Sequence, residues 1–184
     1  MSIEHLAELA KLADQSATAL ASPVAKYAQW VKETLGRGGT LLFAGNGGSA
    51  AHAQHLATEY VVRYKRNRGS MRAIALTTDS STLTAAANDL GFELVLARQV
   101  EALAREGDLL VLVSTSGNSP NLVHAAEAAR RAKARTVALL AGNGGQLKGS
   151  VDLAIIVPTT DSAHAQEIQL AVDHYVCGLV ESGL

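Results

Sequence analysis

The chain has 184 residues, a length that suits one domain with its own hydrophobic core. Hydrophobic residues make up 48% of it but aromatic residues only 4%, so the core must consist mainly of Ala, Val, Leu and Ile. The 16 basic residues nearly balance the 17 acidic ones, which argues against a broad nucleic-acid-binding surface.

The first fifteen residues, MSIEHLAELAKLADQ, predict an amphipathic helix rather than a targeting signal, since acidic residues occur near the start. No apolar run approaches the about 20 residues that cross a bilayer, so we expect a cytoplasmic protein with no membrane partner. The helical pattern runs from about Ile3 to Leu35, and Pro23 predicts a break in it. Its apolar face must pack on its own domain or, as we favour, on another subunit; that face comprises Leu6, Leu9, Leu12, Leu20 and Val24.

Five short apolar runs alternate with alanine-rich stretches of helical period, which is typical of a parallel sheet covered by helices. We therefore predict a doubly wound α/β fold of five strands in a single domain, residues 1–184, with residues 1–35 helical and residues 36–184 forming the α/β core. The predicted strands are Thr40 to Ala44, Ala73 to Thr77, Leu109 to Ser114, Thr136 to Leu140, and Leu153 to Val157.

Two of these strands end in loops suited to an anion. The first loop, GNGGS, has glycines that allow close approach of the backbone, and we predict that Ser49 caps the following helix. The second, STSGNSPN, is rich in hydroxyls, and its Ser119 followed by Pro120 predicts a helix N-terminus. Hydroxyls and a helix N-terminus together can hold a phosphate without lysine.

The same loops lack the GK[ST] sequence of a nucleotide-binding P-loop. A small phosphorylated metabolite is therefore a better candidate ligand than a nucleotide triphosphate. The one basic run, RYKRNR from Arg63 to Arg68, is more typical of a solvated helix end and loop than of a nucleic-acid site, although one of its arginines could reach a phosphate.

Four side chains on two predicted helices have the spacing of a metal site. His55 and Glu59 are four residues apart and share a helix face, while Gln166 and His174 are eight apart and lie within about 80° around a second helix. Zinc accepts His and carboxylate ligands, and a Gln ligand is less usual. The spacing alone also fits a surface His–Glu pair and a buried core histidine.

The other histidines and the single cysteine predict no chemistry of their own. We expect exposed positions on helices or loops for His5, His52, His124 and His164. Cys177 excludes an internal disulfide and a CxxC zinc site, and we expect it to be a small buried apolar residue.

Four segments, taken in order, resemble the bacterial phosphoheptose isomerases, which have the SIS (sugar isomerase) fold. These segments are GNGGSAAHAQHLATE, AAANDLGFE, GDLLVLVSTSGNSPN and QEIQLAVDHYVCGLVE. The resemblance covers nearly the whole chain. The serine loop by itself marks only a SIS phosphate site, but its combination with the other segments is specific.

The resemblance implies an isomerase that interconverts sedoheptulose 7-phosphate and D-glycero-D-manno-heptose 7-phosphate. This is the first step toward activated heptoses for surface polysaccharides such as lipopolysaccharide. It further implies a homotetramer with sites between subunits and one Zn²⁺ per subunit.

Residue roles follow from the same resemblance. Moving a carbonyl between C2 and C1 through an enediol requires one base and one acid, and we assign Glu59 and His174 to these roles. The implied zinc ligands are His55, Glu59, Gln166 and His174. The implied substrate-binding residues are Asn46, Gly47, Gly48, Ser49, Glu59, Arg63, Asn88, Asp89, Ser114, Thr115, Ser116, Ser119 and Gln166.

Four positions depart from the family pattern near this site. His52 replaces an aspartate, His164 an arginine, Ala165 an isoleucine and Gln169 a histidine. The four implied metal ligands are all retained, so the departures bear on the identity of the substrate, on metal affinity and on subunit contacts.

Two alternative functions stay open on sequence grounds. One is a noncatalytic SIS module that binds a phosphosugar or the replication initiator protein, but such relatives lack equivalents of Glu59 and His174. The other is an isomerase of a pentose or hexose phosphate, which would share the chemistry and differ in pocket length.

Overall fold

The computed structural model describes residues 3–183, which form a parallel five-stranded sheet with helices on both faces. The helices are α1 (Glu4–Ala19), α2 (Ala21–Gly36), α3 (Gly48–Val61), α4 (Ser80–Leu90), α5 (Val95–Leu103), α6 (Pro120–Arg131) and α7 (Ser162–Ser182). The strands are β1 (Leu41–Gly45), β2 (Ala73–Ala75), β3 (Leu109–Val113), β4 (Arg135–Ala141) and β5 (Leu153–Val157), and two short 3₁₀ turns span Phe92–Leu94 and Gln146–Gly149.

The strand order is β2-β1-β3-β4-β5, and every neighbouring pair is parallel, which confirms the predicted fold class. Strand β1 runs beside β3, with Leu41 opposite Leu109 and Gly45 opposite Val113. The carboxyl ends of these two strands are therefore level, and the loops that follow them emerge side by side. This edge is where open α/β sheets bind ligands.

Two hydrophobic layers enclose the sheet, because successive strand residues point to opposite faces. Leu41 and Phe43 pack with α2, α3 and α7, whereas Leu42 and Ala44 pack with α4, α5 and α6. Cys177 belongs to the first layer and is 2% exposed, as predicted for a buried apolar residue. Burial raises the pKa of its thiol to about 12, so it stays protonated.

The N-terminal helical segment breaks at Leu20, three residues before the position expected from the proline. Leu20 ends α1 and also serves as the N-cap of α2. Pro23 lies in the first turn of α2. Backbone N–H groups in this turn have no acceptor within the helix, so a residue without an N–H loses no helical hydrogen bond there. The proline thus fixes the start of the second helix rather than kinking one long helix.

The predicted apolar face of this segment is only partly buried. Leu12, Leu20 and Val24 join the core of the same chain, and Leu9 packs against it. Leu6 is 55% exposed, so this chain alone does not bury it, and its predicted packing on another subunit stays a prediction. Among residues 3–183, no helix combines the length and apolar character required to cross a membrane.

The basic run after α3 is held by one buried carboxylate from α7. Glu181 is 3% exposed and accepts hydrogen bonds from the backbone N–H groups of Tyr64 at 2.8 Å, and Lys65 and Arg66 at 2.9 Å. The Nε of Arg68 donates to the same carboxylate at 3.1 Å. Burial alone would raise the pKa of Glu181, but these donors outweigh burial and lower the pKa to about 2.

Arg68 also holds the end of α3. Its guanidinium donates to the carbonyl oxygen of Glu59 at 2.6 Å and to that of Tyr60 at 2.8 Å. Part of the basic run is therefore a buried structural link and not a solvated loop. The last turn of α3 and the last turns of α7 are tied together through this arginine.

We predict that Glu181→Gln lowers the free energy of unfolding at pH 7 by about 2 kcal/mol, because charged hydrogen bonds are lost in a buried site. A carboxyl with a lowered native pKa stabilises the fold above its ordinary pKa, and this contribution disappears as the pH falls from about 4.5 toward 2. The difference between variant and wild type should therefore shrink in acid. Urea unfolding between pH 3 and pH 7 measures it.

Glu106→Gln is the matched control, since Glu106 is 75% exposed in a surface pair with Lys133. We expect little change in this control, because exposed ion pairs contribute roughly 0–1 kcal/mol. Equal stabilities of wild type and Glu181→Gln at pH 7 would show that the carboxylate does not hold the loop.

Candidate active site

The candidate active site lies where the loops after β1 and β3 turn into helices α3 and α6. The first loop is tight: a Cβ on Gly45 would lie 2.5 Å from the Ser49 carbonyl oxygen, and Gly47 has a φ of 55°. Both positions require glycine for the turn. Gly48 begins α3, and a Cβ there would lie 3.1 Å from the side-chain oxygen of Gln166.

The predicted helix caps are only partly correct. Gly47 is the N-cap of α3, so Ser49 does not cap this helix but lies inside its first turn, 5% exposed. Ser119 is the N-cap of α6 with Pro120 following, as predicted, although its hydroxyl makes no capping hydrogen bond. Pro120 has no N–H, and the N–H groups of Leu122 and Val123 donate to the Ser119 carbonyl oxygen, so the Ser119 hydroxyl and the Asn121 N–H are the groups available to an anion at this helix start.

The hydroxyl-rich loop is organised by its own side chains. Gly117 N donates to Ser114 Oγ at 3.0 Å, and Asn118 N donates to Ser116 Oγ at 3.3 Å. Thr115 Oγ1 accepts a hydrogen bond of 3.3 Å from Ser162 Oγ at the start of α7. The loop borders an open polar cavity of about 470 Å³ whose lining includes Thr115, Ser116, Asn118, Asn143, Thr160 and Ser162.

A pair of reciprocal amide hydrogen bonds joins the two loops. Asn46 Nδ2 donates to Asn121 Oδ1 at 2.9 Å, and Asn121 Nδ2 donates to Asn46 Oδ1 at 2.8 Å. Asn121 is 2% exposed, so its amide forms hydrogen bonds within the protein and not with solvent. Asn121 ends the serine loop in the sequence, and no role was predicted for it. Its position one residue into a helix was the only sign that its side chain could lie near the site.

His55 lies between Glu59 and His174. His55 Nε2 is 3.2 Å from Glu59 Oε1 and 2.9 Å from His174 Nε2, and one ligand atom from each of the three residues lies within 4.8 Å of the others. His55 and His174 are 119 positions apart in the chain. Two imidazoles and a carboxylate so placed suit a divalent cation or a proton transfer.

The electrostatic surroundings keep His174 neutral. Its partial burial and the adjacent His55 lower the pKa of His174, and the Glu59 carboxylate only partly opposes them. The ring of Tyr64 stacks on His174 with centroids 5.4 Å apart, which fixes the orientation of the imidazole. A neutral, oriented imidazole presents one donor and one acceptor nitrogen.

Directly behind this group, Asp173 is 1% exposed and contacts two other helices. Tyr27 OH donates to its Oδ1 at 3.0 Å, and His52 Nε2 lies 2.9 Å from its Oδ2. The second contact is close but poorly aligned, since neither atom has a hydrogen-bond partner within residues 3–183. Burial and the Asp173 carboxylate raise the pKa of Tyr27, which therefore stays a donor.

Two histidines predicted to be exposed are buried. His52 is 9% exposed because it faces Asp173, and His164 is 7% exposed because it packs under the first turn of α1. His5 is exposed, as predicted, and His124 is half-buried, with 40% of its side chain accessible. Asp173 and Tyr27 were not predicted as part of the site. The only available signal was that Asp173 directly precedes His174, the candidate catalytic histidine.

The remaining predicted substrate-binding side chains lie on the surface. Arg63 is exposed in the loop after α3. Asn88 and Asp89 are exposed near the end of α4, where the Asn88 amide donates to the Asp89 carboxylate at 2.7 Å. These side chains are open to solvent in the single chain.

Comparison with known proteins gives close relatives over nearly the entire chain. The family model described as "SIS domain" matches residues 4–141. A phosphoheptose isomerase of Trichlorobacter lovleyi is 47% identical over 98% of this chain and 90% of its own length. One from Akkermansia muciniphila is 51% identical over 88% of this chain and 86% of its own.

Solved structures agree with the sequence relatives. A phosphoheptose isomerase from Neisseria gonorrhoeae superposes with a TM-score of 0.92 at 37% identity, covering 97% of this chain and 96% of that one. One from Francisella tularensis gives a TM-score of 0.94 at 32% identity, covering 97% and 95%. The chain is an isomerase and belongs to the phosphoheptose isomerases of the SIS domain family.

Proposed function

We propose that this protein interconverts sedoheptulose 7-phosphate and D-glycero-D-manno-heptose 7-phosphate. The observation that carries the proposal is the meeting of Glu59 and His174 around His55, on two helices beside a hydroxyl-lined loop. The membership of the chain in the phosphoheptose isomerases supports the choice of a seven-carbon substrate.

The chemistry transfers two protons and keeps all atoms of the sugar. The Glu59 carboxylate removes a proton from C1 of the ketose while His174 donates a proton to the C2 oxygen, which gives an enediol. Glu59 then returns its proton to C2, and His174 takes the proton of the C1 hydroxyl, which gives the aldehyde. One base and one acid thus serve both halves of the reaction.

A lowered pKa suits this role for His174. A neutral imidazole can donate its N–H to the oxygen on which negative charge develops and then recover the proton, as a neutral histidine does in other sugar-phosphate isomerisations. The stacking of Tyr64 on the ring holds the donor direction constant between the two steps.

The same side chains fit a zinc ion. His55, Glu59 and His174 offer two nitrogens and a carboxylate, a usual zinc donor set, and Gln166 beside Gly48 would complete it. When bound, zinc would supply positive charge beside the carbonyl oxygen. Ligation weakens a carboxylate as a base, so the two roles of Glu59 partly compete.

The phosphate end of the sugar is assigned to the second loop. Ser116, Ser119 and the Asn121 N–H at the start of α6 offer neutral donors and the positive end of a helix dipole. Ser114 and Thr115 would shape this cradle through their hydrogen bonds within the protein. Arg63, Asn88 and Asp89 would contact substrate from the open side of the site, while Gly47, Gly48 and Ser49 would form its floor.

The remaining parts of the proposal concern assembly and location. Exposed apolar side chains at Ile3, Leu6 and Tyr175 favour a homotetramer with sites between subunits, because isolated chains would leave these groups in water. The proposal also includes a single domain over the whole chain, a cytoplasmic location and a role in lipopolysaccharide heptose synthesis. The tetramer and the role in heptose synthesis rest on the family resemblance.

The first test is a panel of ketose phosphates of five, six and seven carbons, assayed with and without a chelator. We expect sedoheptulose 7-phosphate to have the highest kcat/KM, and we expect chelation to lower the rate and added zinc to restore it. Equal or faster turnover of a hexose or pentose phosphate would contradict the heptose assignment while retaining the isomerase.

The second prediction is that Glu59→Gln lowers kcat by about 100- to 10,000-fold, since the base is lost while the shape of the side chain is kept. Circular dichroism should show an unchanged fold. Glu127→Gln is the matched control, because Glu127 forms a similar helical pair with His124 far from the loops. Turnover of Glu59→Gln within about threefold of wild type would reassign the base.

The third prediction concerns the amide pair that joins the loops. If Asn46 acts by holding its loop against Asn121, then Asn46→Ala and Asn121→Ala should each lower kcat/KM by about tenfold, and the double variant should lower it no further. Asn67→Ala, in the exposed loop after α3, should leave the rate unchanged. Additive losses would mean that Asn46 binds the substrate independently of Asn121.

A further inference from the structure

We propose that His5, His164 and Glu167 form a second site for a divalent metal ion, which fastens the first turn of α1 to the start of α7. This site shares no residue with the His55 group and goes beyond the proposed catalytic function. One ligand atom from each of its three residues lies within 4.8 Å of the other two.

The two helices already bring the three side chains into contact. His5 Nε2 lies 2.8 Å from Glu167 Oε1, and the His5 and His164 rings are in contact, tilted by 32° with centroids 4.2 Å apart. His164 and Glu167 are three positions apart and therefore share a face of α7. A small shift of rotamers would direct the three ligand atoms at one ion.

The histidine from α7 has the tautomer that a ligand requires. His164 Nε2 lies 3.2 Å from the His5 carbonyl oxygen, which can only accept, so this nitrogen carries the proton. Its Nδ1 then keeps a free lone pair. Metal-bound histidines commonly donate their other N–H to a backbone carbonyl in this way, which fixes the ring before the ion binds.

The carboxylate has a spare oxygen. Glu167 Oε2 is shielded from solvent and has no hydrogen-bond partner within residues 3–183. A shielded carboxylate oxygen without a partner is costly, and a cation would satisfy it. It is this unsatisfied atom that distinguishes the group from an ordinary surface His–Glu pair.

The charges around the group favour a cation over an anion. Asp161 Oδ1 lies 3.8 Å from His164 Nδ1, and Glu8 also acts on His5. Together with Glu167, these carboxylates place negative charge around the two imidazoles.

The ion would supply an attachment that α1 otherwise largely lacks. Only Leu12 and Ser16 of α1 are buried, and both lie in its second half. The first turn, with Ile3 and Leu6 exposed, is held by the contacts of His5 with α7. Two imidazoles with one carboxylate suit Zn²⁺ or Co²⁺ better than Mg²⁺ or Ca²⁺.

The test is to titrate chelator-treated full-length protein with Zn²⁺ and, separately, with Co²⁺. Calorimetry measures the binding of zinc, and the visible absorption spectrum measures the binding of cobalt. Wild type should bind two ions per chain. The single variants His164→Ala and Glu167→Gln should each bind one ion, at the His55 group. The single variant His55→Ala should bind one ion, at the second site. His124→Ala should bind two, because His124 and Glu127 form a surface pair without a third candidate ligand among residues 3–183.

A second measurement keeps the proposal independent of the catalytic site. Zinc should raise the melting temperature of His55→Ala and fail to raise that of the double variant His55→Ala with Glu167→Gln. If Glu167→Gln and His164→Ala both bind as many ions as wild type, the second site does not exist. If instead His55→Ala alone leaves the stoichiometry unchanged, the catalytic metal site is the one that fails.

Discussion

The contact between α3 and α7 is the constraint on which the candidate active site depends, because each helix carries half of the proposed reacting groups. His55 and His174 are 119 positions apart yet lie within one hydrogen-bond length. Asp173, buried behind them, contacts Tyr27 of α2 and His52 of α3. A buried carboxylate that loses its partners is strongly destabilising, so this contact defines the relative position of the helices more narrowly than apolar packing does.

Two of the positions at which the resemblance implies a departure from the family pattern, 52 and 169, lie in this buried layer. An aspartate at position 52 would place a second carboxylate beside Asp173, and two adjacent buried carboxylates repel unless one is protonated. His52 avoids that repulsion and lies 2.9 Å from Asp173 without forming an aligned hydrogen bond. Gln169 is fully buried one turn before Asp173, and neither amide atom has a partner within residues 3–183. Both residues therefore belong to the support of the proposed catalytic groups and not to the groups themselves.

Local patterns predicted the fold because strands covered on both faces appear as continuous apolar runs, and Leu153–Val157 matched to the residue. The same patterns could not predict His52 as buried or Glu181 as the anchor of a basic loop, since each depends on a partner distant in sequence. Ser49 was misassigned as a cap because a glycine turn places the helix start two residues earlier than a hydroxyl suggests. The sequence places Asn121 at a helix start but does not reveal that Asn46 is its hydrogen-bond partner.

Under the proposed function, the choice of sugar depends on how the proposed phosphate loop and the proposed catalytic pair are placed, because a phosphosugar must reach both at once. Helix α7 connects the two regions: Ser162 contacts Thr115 of the loop, and His174 lies twelve residues farther along the same helix. The reciprocal amide bonds of Asn46 and Asn121 hold the loops together at the other side. If rigid elements hold both ends as proposed, a shorter sugar bound by its phosphate would present the wrong carbon to Glu59, and the site would select for length without a contact to every hydroxyl.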